Sequence, residues 1–255
     1  MTDPTSDLLK AQLKLLRLPA MVQEFEKLSR EAAAANQNYE QFLLQLTEIE
    51  LAARAANALA TRIKNAGFPL LKDFDTYDFT ALPNLSKPKV LELARGEWIR
   101  EKFNTSLVGS TGTGKTHLAI ALGQAACRQG YRVAFFTAAQ LVSQLEKAQK
   151  QYTLDRFLTQ LDKTDLLICD ELGYVSFSRN GVELLFRVFT DRYERSSVLI
   201  TSNLAFGDWN QVFQGERMTG ALLDRLTHRC HIFEMNGESY RFRESMKTKK
   251  GRKPA

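Results

Sequence analysis

Residues 109–116 read GSTGTGKT, directly after the apolar run TSLV and directly before HLAIALGQAA, which has the make-up of a helix. A strand, a loop of pattern G-x-x-x-x-G-K-[ST] and a helix, in that order, form the phosphate-binding unit of a parallel α/β sheet. Ordinary residue usage gives a chance match in a chain this long roughly once in a hundred, and the setting lowers that further. Glycines let successive backbone N–H groups turn inward around phosphate oxygens, while the helix N-terminus adds favourable partial positive charge. Gly109, Ser110, Thr111, Gly112, Thr113, Gly114, Lys115 and Thr116 are therefore expected to cradle a phosphate chain. Lys115 is expected to neutralise β- and γ-phosphate charge, and Thr116 to place its hydroxyl on Mg²⁺. A merely tight glycine turn would not require Lys and Thr directly after it.

Two later runs fit the same sheet. DLLICDELGY, residues 165–174, is an apolar strand ending in Asp170 and Glu171. Beside a phosphate loop, the first carboxylate can hold Mg²⁺ and the second can orient and deprotonate an attacking water. Taken alone, an apolar run followed by Asp-Glu would read as a strand and a solvated turn. SSVLITSN ends with Asn203, which is either a turn or cap residue or a sensor touching water or the γ-phosphate. TSLVG, RVAFFT, DLLIC, SVLITSN and HIFEM are five strand candidates separated by helical patterns, the alternation of a mostly parallel sheet covered by helices. Val182, Leu185, Phe186 and Phe189 mark one helix face, and Leu141, Val142 and Leu145 another.

Upstream, residues 1–66 lack strand-like alternation and predict a small all-helical N-terminal domain serving oligomer or partner contacts. Asn38 is a candidate N-cap with Gln41 three positions on, and Phe42, Leu43, Leu46, Ile49 and Ala53 recur at helical spacing. Residues 67–104, rich in proline and aromatics, predict a connector packed on the following domain, which spans 105–240. Residues 241–255 form a basic tail with Lys247, Lys249, Lys250, Arg252 and Lys253, read as a solvated end or as a phosphate-backbone contact.

Composition narrows the classes. Apolar windows such as LLIC are far shorter than the ~20 residues of a membrane span, so no membrane association and a cytoplasmic location are expected. Cys127, Cys169 and Cys230 lack disulfide or metal spacing, and His117, His228 and His231 lack it as well. The net charge of +6 permits attraction to a polyanion without demanding it.

GSTGTGKT, CDELGY, TSN and LLDRL, in that order, resemble the AAA+ ATPases, specifically the branch of DnaC and IstB. IKNAGFPLLKDFDTYDF and DELGYVSFSRNGVELLFRVFTDRYERSSVLITSNL are similar to IstB-type proteins, the ATP-binding helpers of insertion-sequence transposition. That resemblance covers nearly the whole chain. It implies a protein that binds ATP with Mg²⁺, forms ATP-dependent homo-oligomers, assembles on duplex DNA, selects or deforms the target, and recruits and stimulates a transposase. It makes Gly109–Thr116 the Walker A loop, Asp170 and Glu171 the Walker B pair, Asn203 a sensor and Arg225 an arginine finger reaching a neighbouring subunit.

After HIFEM only 20 residues remain, which predicts a minimal or absent helical lid and leaves charge at the γ-phosphate to Lys115, Mg²⁺ and that neighbour. On a helical wheel Leu222, Leu223 and Leu226 form an apolar stripe, with Arg225 at its border, Arg229 nearer it and Arg217 at or before the helix start. For DNA, the resemblance points to the region between the second strand and the acidic pair, which offers Lys147, Lys150 and Arg156, with Arg179 following that pair. On an amphipathic helix such charges also serve as a plain wet face. The nearest alternative is a replicative helicase loader like DnaC, with a preference for single strands. A P-loop small-molecule kinase would need an arginine-bearing lid for which the chain has no room.

Overall fold

The computed structural model describes residues 4–213, 215–240 and 242, which form two compact units, Met1–Thr61 and Arg62–Ala255. The basic tail from 243 onward lies outside the described residues. The first unit holds α1 (Pro4–Leu15), α2 (Pro19–Ala34) and most of α3 (Tyr39–Ala66). Pro19 opens α2, where its missing N–H costs nothing. Asn38 and Gln41 form the expected reciprocal cap of α3, with bonds of 2.8 and 3.1 Å. Met21, Phe25 and Leu46 make a small core with Phe42 against it, whereas Leu43 is exposed, so the buried face of α3 is narrower than its leucines suggest. Buried Glu50 caps α2, accepting from the Ala20 and Met21 amides at 2.9 and 3.2 Å and from Arg54 at 2.9 Å. Burial opposes its charge, but those donors hold its pKa below the ordinary value.

In the second unit come α4 (Lys87–Leu93), α5 (Glu97–Arg100), β1 (Asn104–Val108), α6 (Lys115–Arg128), β2 (Val133–Thr137) and α7 (Ala138–Lys150). They are followed by α8 (Leu154–Asp162), β3 (Leu166–Leu172), α9 (Arg179–Arg192), β4 (Ser197–Ser202), α10 (Asn210–Phe213), α11 (Glu216–Thr227) and β5 (Cys230–Glu234). All five expected strands form, in one sheet of order β2-β3-β4-β1-β5 with every pairing parallel. Central strands β1, β3 and β4 are buried along nearly their whole length because both faces are covered. Leu167, Cys169, Val198 and Ile200 join a core with α7, α9 and α11, and Ile168 lies against α6 on the other face. Val182, Leu185 and Phe189 of α9 and Leu141, Val142 and Leu145 of α7 are buried there, as their spacing predicts. Arg217 lies inside α11 rather than before it.

This order places β4 between β1 and β3, so three strand ends converge at one carboxyl edge: the glycine loop after β1, the acidic pair ending β3, and Asn203 after β4.

At the opposite edge, buried Arg192 fastens the elements by donating to the carbonyls of Leu161, Thr164 and Ser197 at 2.9, 3.0 and 3.3 Å. Arg192→Ala strands those acceptors away from water, and a loss of about 3 kcal/mol is expected. On a unit of this size that lowers the thermal midpoint by roughly 6–12 °C, which calorimetry measures directly.

Candidate functional site

The glycine loop closes through backbone shapes that side chains resist. Gly112 and Gly114 have φ of +80° and +88°, and a Cβ on Gly112 would lie 2.2 Å from Ser239 Oγ. Lys115 Nζ donates to the carbonyls of Gly109 and Ser110, both at 2.7 Å, and Thr113 Oγ1 donates to Ser110 O at 2.8 Å. α6 starts at Lys115 without a side-chain cap, which suits a helix N-terminus facing an anion.

The acidic pair is shaped by a bulge. Cys169 pairs with Ile200 and Leu172 with Ser202, so Asp170 and Glu171 together oppose the single residue Thr201. Thr201 Oγ1 donates to Asp170 Oδ1 at 2.6 Å and accepts from the Glu171 amide at 2.9 Å. Glu171 adopts φ +59°, a left-handed conformation costing about 1–3 kcal/mol outside glycine, and its side chain is exposed while Asp170 and Leu172 are buried. Thr116 Oγ1 donates to Asp170 at 2.9 and 3.0 Å. Burial pushes the Asp170 carboxyl above its usual pKa, opposed by the Thr201 and Thr116 hydroxyls and by the charge of Lys115.

One hard carboxylate and one hydroxyl side by side suit Mg²⁺, which keeps waters and takes its other ligands from a bound phosphate chain. Among the described residues no group of three or more His, Cys, Asp or Glu could hold a metal ion by itself.

Lys115, Thr116, Glu171, Thr201 and Asn203 share a cavity of about 470 Å³ with residues the motifs do not contain. Pro69, Leu70, Tyr77, Ala81 and Ile120 give it an apolar wall, and Tyr174 and Tyr240 border it. The connector is tied to α6 by Gln124 Nε2 donating to Lys72 O at 2.8 Å and by His117 Nε2 lying 2.9 Å from Asp73 O. After β5, the chain straps the loop from above: Met235 N donates to Val108 O at 2.7 Å and Tyr240 N to Gly112 O at 3.0 Å. Thr201 was legible only as a good strand residue, and the connector carries no periodic signal, so sequence reasoning missed both contributions.

Arg225 does not line this cavity. It is half-buried, donates to Thr190 Oγ1 at 2.8 Å and lies 5.8 Å from the Phe186 ring centroid, both on α9. Arg229 sits 4.6 Å from the Phe103 ring centroid, and Arg217 is exposed. The four basic residues considered for DNA are all exposed on neighbouring elements. Lys147 and Arg156 border a common cavity with Gln144, Gln151 and Gln160, and Lys150 is in the last turn of α7. Arg179 starts α9, which is tied to α7 by Asn180 Nδ2 donating to Gln149 Oε1 at 2.8 Å, while Arg179 itself pairs with Glu183 at 3.2 Å.

The family of IstB-like ATP binding proteins matches residues 11–248. A relative from Geobacillus stearothermophilus, named as an insertion sequence IS5376 ATP-binding protein, is 38% identical over 229 residues, 90% of this chain and 91% of its own. One from Pseudomonas aeruginosa, named for insertion sequence IS21, is 37% identical over 239 residues, covering 94% and 90%. Among solved structures, AMPPCP-bound DnaA from Aquifex aeolicus superposes with TM-score 0.57 at 21% identity, over 72% of this chain and 56% of that one. DnaI superposes with TM-score 0.53 at 18% identity, over 66% and 89%. This chain thus spans little more than half of the DnaA chain, and what it shares with both is the P-loop AAA+ fold.

Thr201→Val keeps the strand and removes the bridging hydroxyl. ATP turnover is expected to fall about 10–100-fold with a smaller change in nucleotide affinity, measured by phosphate release and by titration.

Proposed function

The chain belongs to the family of IstB-like ATP-binding proteins, and from that membership and the geometry of its cavity we propose that it is a DNA-binding AAA+ ATPase serving transposition. It assembles on duplex DNA with ATP, selects or deforms the target, and recruits and stimulates a transposase. The observation that carries the reading is the convergence of Lys115, Thr116, Asp170, Glu171 and Asn203 on one strand-end edge, in a chain whose relatives are named for insertion sequences.

The roles follow from position. Gly109–Thr116 hold the triphosphate and Lys115 leaves its carbonyl partners to meet the β- and γ-phosphates. Thr116 and Asp170 hold Mg²⁺, which supplies charge neutralisation of the phosphates when bound. Glu171, exposed at the bulge, takes the proton of the water attacking the γ-phosphorus, and Asn203 orients that water or the phosphate. With no arginine from α11 on its own cavity, the site leaves the transition-state charge to Arg225 of a neighbouring subunit, which makes nucleotide binding and assembly mutually dependent. Lys147, Lys150, Arg156 and Arg179 supply phosphate-backbone contacts, suited to reading shape and deformability rather than bases.

Glu171→Gln is expected to bind ATP and stay on duplex DNA without turnover, as read by co-sedimentation and phosphate release, while Lys115→Ala fails to assemble. In the Glu171→Gln background, joint Lys147→Ala and Arg156→Ala substitution lowers the salt slope of binding by about 2. Turnover by Glu171→Gln, or preference for single strands over duplex, contradicts the proposal.

Arg225→Ala is expected to bind ATP at wild-type affinity and lose about 10³-fold or more in turnover. Mixing it with Lys115→Ala restores part of the activity, because Lys115→Ala subunits lend an intact Arg225 to neighbours that bind ATP. No rescue on mixing, with Arg229→Ala rescued instead, moves the finger to Arg229.

A further inference from the structure

Tyr77 lines the cavity and is 8% exposed, yet its hydroxyl has no hydrogen-bond partner among the described residues. Buried hydroxyls without partners cost free energy and are rare, so each calls for an explanation. The other orphaned side-chain atoms among the described residues, on Gln37, Thr105, Arg192 and Trp209, do not belong to residues lining this cavity.

The ring is fixed by its neighbours. It meets His117 edge-on at 5.2 Å between centroids and Phe79 at 4.7 Å. It also presses on the phosphate loop: a Cβ on Gly114 would lie 3.0 Å from Tyr77 Cε2 and 3.3 Å from its hydroxyl oxygen. Tyr77 therefore stands where the apolar wall of Pro69, Leu70 and Ile120 meets the glycine loop. A nucleotide with its base on that wall and its β-phosphate in the loop puts ribose and α-phosphate oxygens at this junction. Both are acceptors, and the hydroxyl is a donor without an acceptor.

We infer that the Tyr77 hydroxyl donates a hydrogen bond to a ribose or α-phosphate oxygen of the bound nucleotide, making Tyr77 a positioning residue that joins the connector to the ligand. Burial and the nearby Asp78 push its pKa up to about 12, so it stays protonated through the working pH range. The inference rests on the nucleotide-site reading, and goes beyond it by assigning a contact to a residue outside every phosphate-binding motif.

The test is titration of ATP with Mg²⁺ into the full chain and into Tyr77→Phe, with thermal unfolding of both without nucleotide. The variant is expected to bind ATP roughly tenfold more weakly. Its midpoint without nucleotide should be equal or higher, because an unsatisfied buried group has been removed. A merely structural hydroxyl would lower that midpoint, which overturns the assignment. Equal ATP affinity overturns it too, since water then serves the hydroxyl. Repeating the titration with 2′-deoxy- and 3′-deoxy-ATP separates the acceptors: a penalty that vanishes with either places the bond on that ribose hydroxyl, and one that persists with both places it on the ribose ring oxygen or the α-phosphate. Absence of ATP binding by the wild-type chain refutes the nucleotide site as a whole, whereas wild-type binding with an unaltered variant refutes Tyr77 alone.

Discussion

The hydroxyl of Thr201 fixes what the acidic pair can do. In a regular strand Asp170 and Glu171 would point to opposite faces of the sheet, and one would be lost in a covering helix layer. The bulge sets both against one residue of β4, and Thr201 holds them there, with its proton on the Asp170 carboxylate and its lone pair on the Glu171 amide. Ser202 fastens the far side of the irregularity by donating to Leu172 O at 2.7 Å. The left-handed backbone of Glu171 persists because these bonds over-determine it. Asp170 stays aimed at Thr116, and Glu171 is turned outward to the cavity.

Strand ends alone do not make the cavity. Its wall comes from the connector, which crosses α6 and is pinned at Lys72 and Asp73, and its rim from the segment after β5. Both lie so near the glycine loop that Gly112 and Gly114 are required twice, once for their positive φ and once because Ser239 and Tyr77 occupy the space of a side chain. The loop is thus held by chain on both flanks before any phosphate reaches it.

Much of this was legible in the sequence because it depends on local pattern. Five apolar runs gave five strands, GSTGTGKT gave the loop, and Asn38 with Gln41 gave a helix start. What stayed hidden depends on register and on long-range contact. A bulge leaves no mark in DLLICDELGY, and without it Thr201 is one more β-branched residue in VLITSN. Leu43 looks like core by spacing and is exposed, while Glu50, on the same helix, is buried because it caps α2. Tyr77 lies in a stretch without periodicity, so only the folded chain brings it to Gly114.

A short run of chain also joins the acidic pair to the entrance of α9. The chain leaves Glu171 through Gly173, whose φ is +96°, and reaches Ser178, the N-cap of α9, just before Arg179. Ser178 donates to Glu146 on α7, and Asn180 donates to Gln149, so the entrance to α9 is fastened to the helix that carries Lys147 and Lys150. Glu171 is therefore joined by a short covalent path to the junction of α7 and α9, where Lys147, Lys150 and Arg179 are exposed. Under the proposed function, any coupling free energy between a nucleotide at Glu171 and a polyanion on this face is equal in both directions.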